Sequence, residues 1–93
     1  MEDQKLILSS VRALWGCVMP SLRTVSIELN DDIILWKCVF DSTATEDDLE
    51  NLSAAAAEVT ADFPKYGLKE IIVTIPFPQK TEPLKNLIYL RKE

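Results

Sequence analysis

The chain reads as an α+β fold: two amphipathic helices packed on one face of a mostly antiparallel sheet of three or four strands, in the order α-β-β-α-β-(β). Three observations predict it. Apolar residues recur with helical spacing in two separate segments, one near the start and one in the middle of the chain. Between them lie two β-rich runs of alternating character joined by "NDD", the signature of a hairpin. A further run, "LKEIIVTI", follows the second helical segment after a proline stop. Each amphipathic helix must bury its apolar stripe, and one face of a sheet offers the surface to do so. With 93 residues, of which 47% are hydrophobic, the chain suffices for one core and one domain spanning 1–93.

In the first segment Leu6, Ile7, Ser10, Val11, Leu14 and Trp15 fall at i, i+1, i+4, i+5, i+8 and i+9, which predicts one buried stripe. Gly16 marks a helix stop and Pro20 prevents continuation. In "RTVSIEL", Val25, Ile27 and Leu29 alternate with Thr24, Ser26 and Glu28. In "IILWKCVF", Ile34, Trp36, Cys38 and Phe40 share one face and Leu35, Lys37 and Val39 the other, so residues 22–41 form the hairpin. The sheet face carrying Thr24, Ser26, Glu28, Leu35, Lys37 and Val39 is expected to be partly wet. The second helix begins at Thr45, whose spacing to Asp48 resembles a capping box. Its buried stripe is Leu49, Leu52, Ala56, Val59 and Phe63, with Ala55 also inward, while Asp47, Glu50, Asn51, Ala54, Glu58 and Asp62 point away. Pro64 ends it. In "LKEIIVTI", Ile71, Val73 and Ile75 share one face and Ile72 takes the other; "PFPQKTEP" is a loop because its prolines donate nothing to a ladder, and "NLIYLRK" is a short fourth strand.

The net charge of −5 is unevenly placed. Residues 28–62 hold ten carboxylates against Lys37 alone, whereas residues 63–93 hold six bases against Glu70, Glu82 and Glu93. From 38 to 64 there is neither Lys nor Arg. A structural helix ordinarily mixes charges on its wet face, because opposite charges three or four residues apart stabilise it slightly. The unmixed acid of this segment fits a basic protein partner, reached by electrostatic steering. The candidate partner-binding residues are Asp41, Glu46, Asp47, Asp48, Glu50, Glu58 and Asp62.

Composition argues against catalysis. The chain has no histidine, the commonest general base and metal ligand. Gly16 and Gly67 are its only glycines, too few for a phosphate-cradling loop. Cys17 and Cys38 match no zinc spacing and read as small buried hydrophobes. The carboxylates of "TEDDLE" crowd the first turn of a helix, where the macrodipole favours them without any catalytic role. The expectation is therefore no enzyme, no catalytic residue, no cofactor and no metal. Nucleic acid is excluded by the sign of the helix face, and a membrane by the lack of any apolar run near 18 residues. The start "MEDQKLILSS" lacks the basic and apolar regions of a secretory signal, which predicts a cytoplasmic protein.

Three stretches carry a resemblance: "VRALWGCVMPSLRTVSIEL" across the first helix-to-strand junction, "EVTADFP" at the close of the second helix, and the tail "IYLRKE". Together they resemble bacterial immunity proteins of contact-dependent growth inhibition and related polymorphic toxin systems, a family of about 100 residues with α-β-β-α-β topology. The resemblance implies a cytoplasmic protein that binds the toxic C-terminal domain of its cognate effector, often a nuclease, and blocks its active or substrate-binding surface. A monomer in a 1:1 complex is expected. The family transfers no numbered binding residue, because binding positions vary from pair to pair. A structural or regulatory subunit dimerising through its sheet is the alternative.

Overall fold

The computed structural model describes residues 2–93. Its elements are α1 (Glu2–Leu14), β1 (Leu22–Asn30), β2 (Ile33–Phe40), α2 (Glu46–Asp62), β3 (Gly67–Thr74) and β4 (Asn86–Leu90). The predicted α+β layering holds. The four strands form one sheet in the order β3-β2-β1-β4, and both helices contribute to the core on one of its faces. β1 pairs antiparallel with β2 and with β4, while β3 runs parallel to β2. A parallel neighbour cannot be reached by a tight turn, so α2 serves as the crossover between β2 and β3. The β1–β2 hairpin closes tightly, with Asn30 opposite Ile33 and Asp31 at φ 56, a left-handed angle that Asp tolerates better than most residues.

The core lies between the sheet and the helices. Val25 faces Cys38 and Ile27 faces Trp36 across the hairpin, and all four are fully buried, as are Leu52, Ala55, Ala56 and Val59 of α2. The alanines divide as their periodicity predicts: Ala55 and Ala56 pack inward, and Ala54 is exposed. Cys38 behaves as a buried hydrophobe; its burial pushes the thiol up to about 12, which keeps it protonated and unreactive. Cys17 is only half-buried.

Two expectations are corrected. α1 buries only part of the stripe its spacing suggests: Leu6, Ser10 and Leu14 are inside and Ile7 is half-buried, but Val11 and Trp15 are exposed. Ser9 and Ala13 are buried as well. Apolar residues occur around much of this helix, and the side that wins is the one whose Ser9, Ser10 and Ala13 are small enough for close approach to α2. Buried Ser10 satisfies its hydroxyl on the carbonyl of Leu6, four residues back. Trp15 lies beyond the last helical residue, in a turn where Gly16 adopts φ 78.

The second correction concerns the far face of the sheet. Register places Ile71 and Val73 on that face beside Lys37 and Val39, with Leu68 and Ile72 turned toward the helices. The face is not wet where Thr24, Ser26 and Val39 sit, for all three are buried. The proline-bearing segment 76–85 crosses it as a strap from β3 to β4. The amides of Leu84 and Lys85 donate to Ser26 Oγ (2.9 Å) and Glu28 Oε1 (3.2 Å), and Lys37 Nζ donates to the carbonyl of Glu82. A dimer formed through this face would have to displace the strap.

Candidate partner-binding surface

α2 is built so that its carboxylates divide between structure and solvent. At its N-terminus the capping box forms as predicted: the Asp48 amide donates to Thr45 Oγ1 and the Thr45 amide to Asp48 Oδ2, each at 3.2 Å. Asp48 also accepts from Ser21 Oγ at 2.8 Å, which ties the start of α2 to the start of β1. Glu46, Asp47, Glu50 and Glu58 are exposed. Asp62 is exposed as well, with one oxygen accepting from Ser9 Oγ of α1 at 2.6 Å. Among the described residues, none of these five makes an ion pair.

Asp41 belongs to a different structure. It accepts from the amide and hydroxyl of Thr43 and from Arg91 Nη1 at 2.6 Å. The Thr43 bonds, and after them Arg91, hold its carboxyl down at about 2. Arg91 in turn contacts Glu93, and Glu93 receives a two-pronged pair from Arg23 at 2.7 and 3.0 Å. Arg23 is the extra residue of a bulge in β1, between the Leu22–Phe40 and Thr24–Val39 pairs. The bulge re-aims its side chain, which is buried, donates to the carbonyl of Ile75 at 2.7 Å and lies 5.7 Å from the Phe77 ring. Of the seven predicted carboxylates, then, Asp41 and Asp48 are held by internal partners, while the other five remain on the surface.

Sequence reasoning missed the apolar part of this surface. Leu8, Val11, Trp15 and Val18 are exposed, Trp15 by 78% and Leu8 by 58%. Between the helices lies a recess of about 330 Å³, lined by Ser9, Arg12 and Ala13 of α1 and by Glu58, Ala61 and Asp62 of α2. The available signal was the second apolar arc of α1, in which Leu8, Val11 and Trp15 fall at i, i+3 and i+7. No group of three or more Cys, Asp or Glu among the described residues is placed to hold a metal ion. Nor is any described helix long and apolar enough to cross a membrane. The arrangement presents fixed negative charge and apolar area on one side of the molecule.

The family model for the MafI2 immunity protein matches residues 3–93. The chain belongs to the MafI2 immunity protein family. That membership makes it an immunity protein of a polymorphic toxin system, with a cognate toxin protein as its partner. It also refines the resemblance read from the sequence, since the match is to the Maf immunity proteins rather than to those of contact-dependent growth inhibition. None of the curated proteins compared with the chain matches it.

Proposed function

We propose that this MafI2-family protein neutralises a toxin domain whose functional surface is basic, a nuclease C-terminal domain, by laying the outer face of α2 over its active or substrate-binding surface. The protein acts as a monomer in a 1:1 complex in the cytoplasm and performs no chemistry of its own. One observation carries the reading: Glu46, Asp47, Glu50, Glu58 and Asp62 line an exposed helix with no Lys or Arg between residues 38 and 64 to neutralise them. A nuclease must attract a polyanion, so its substrate surface is cationic, and an acidic helix competes for that surface on the same electrostatic terms. Asp41 and Asp48 support the surface indirectly, by anchoring the loop and cap that precede it.

The test is co-production with the toxin domain encoded beside this chain. Cells should survive with the native protein and die when Asp47, Glu50 and Glu58 are all replaced by Lys. Unchanged protection by that variant would move the interface off α2. A toxin domain that cleaves no nucleic acid would remove the nuclease assignment and leave the acidic interface to be judged by binding alone.

A further inference from the structure

We infer that the exposed α1 stripe of Leu8, Val11 and Trp15, continued by Val18, is the apolar anchor of the toxin interface, with the Trp15 indole inserting into a recess on the toxin rimmed by Lys and Arg. The inference rests on the reading of α2 as the acidic part of the same interface. Scattered exposed apolar residues need no explanation, but these are aligned on one side of one helix and its terminal turn. The chain has two tryptophans and treats them oppositely: Trp36 is completely buried in the core, and Trp15 is 78% exposed. A tryptophan offers roughly 150–250 Å² of contact area together with an N–H donor, which is why it recurs among residues that dominate binding.

Charge decides the occupant. A stable interface takes about 800 Å² from each partner, more than four side chains supply, so whatever covers the stripe must extend over its neighbours. On the α2 side those neighbours are Arg12 on α1 and then, across the recess, Glu58 and Asp62, on a helix that also exposes Glu46, Asp47 and Glu50. A second copy of this chain, docked two-fold on α1, would bring two such acidic faces together, each on a chain of net charge −5. A cationic partner meets the same carboxylates favourably. Arg12, between the stripe and the α2 carboxylates, makes no ion pair among the described residues and faces the recess. The surface thus combines an apolar centre with a charged border, the anatomy of a protein–protein interface.

The experiment measures binding of the toxin domain encoded beside this chain to the native protein, to Trp15→Ala and to the Asp47, Glu50, Glu58 triple Lys variant, at low and high salt. Trp15→Ala should weaken binding about a hundredfold, mainly through faster dissociation, with the salt dependence of association unchanged. The triple variant should slow association and flatten its salt dependence. Native affinity in Trp15→Ala overturns the anchor while leaving the acidic reading intact; failure of the native protein to bind overturns both. Because Trp15 is exposed its replacement should not alter melting, and Leu8→Ser on the same stripe provides a second variant with the same expected direction. Sedimentation of the free protein supplies the last arm. A dimer that Trp15→Ala converts to monomer would assign the stripe to self-association and overturn the proposal.

Discussion

Two charged regions of this molecule use the same residue types to opposite ends. Where β1, β4 and the chain's last residues meet, Arg23, Arg91, Asp41 and Glu93 form a connected set of ion pairs, and every one of these side chains is less than a quarter exposed. On the outer face of α2 the carboxylates of Glu46, Asp47, Glu50, Glu58 and Asp62 are exposed and, among the described residues, make no ion pair, although Arg12 of α1 lines the same recess as Glu58 and Asp62. In the first region each charge is answered within the fold, so its energy goes into stability. In the second it meets no ion-pair partner among the described residues, only the Ser9 hydroxyl at Asp62, and so remains available to a partner. The difference teaches that acidity in a sequence is not yet a binding surface; the internal partners must be subtracted first. That subtraction removes Asp41 and Asp48 and leaves Asp62 with one oxygen held by Ser9.

Replacing charges in each region should break the comparison in opposite directions. The largest effect is expected from Arg23→Met. It leaves Glu93 without its two-pronged partner and the Ile75 carbonyl without its donor, and it releases the strap at Phe77. A cut buried pair costs far more than an exposed one, because the surviving charge loses its compensation. Thermal unfolding should show a drop of many degrees, with toxin affinity retained in whatever fraction stays folded. Next comes the triple reversal of Asp47, Glu50 and Glu58. Its association with the toxin should slow by about tenfold or more at low salt, a difference that closes as salt screens the charges. Its melting temperature should stay close to the native value, read by the same thermal scan.

Within α2 the contrast is sharper still. Asp48→Ala should cost about 1 kcal/mol through the lost reciprocal half of the capping box and the lost Ser21 bond, whereas Glu50→Ala should lie within about 0.5 kcal/mol of native in urea unfolding. Equal costs would mean that the cap does not distinguish them. The ion-pair set can also be tested through the ionisation of Asp41. Its carboxyl is held at about 2 when folded, against about 3.9 in an unfolded chain. The contribution is therefore complete above that unfolded value and is lost as pH falls toward about 2. Acid unfolding of Asp41→Asn should be shallower than native across that window and parallel to it above pH 5.

Much of the fold was legible because local spacing and burial agree. α2 caps at Thr45, buries Leu52, Ala56 and Val59, and turns its acids outward, since a single wide apolar stripe admits one orientation. The hairpin was equally readable: alternation of period two leaves one register that keeps Val25, Ile27, Trp36 and Cys38 together. α1 was readable only in part, at Leu6, Ser10 and Leu14, because a helix with apolar residues on two sides has two plausible buried faces, and only the neighbour it packs against chooses. The same ambiguity hid Leu8, Val11 and Trp15 from the candidate site. The strap was invisible for another reason. "PFPQKTEP" carries no periodic pattern, and its place over Thr24, Ser26 and Val39 is fixed by hydrogen bonds to residues more than 40 positions away.

By itself, then, the sequence determined the elements, their order, the acidic middle block and the absence of histidine chemistry. These follow from short-range periodicity, turn residues and composition, which act within a few residues. Tertiary structure alone decided that β3 lies parallel to β2, that Arg23 is turned by a bulge into the ion-pair set, that Asp41 and Asp48 are spent internally, and that Trp15 stands outside. Each of those depends on which distant groups meet, and burial and pairing are properties of the assembled chain.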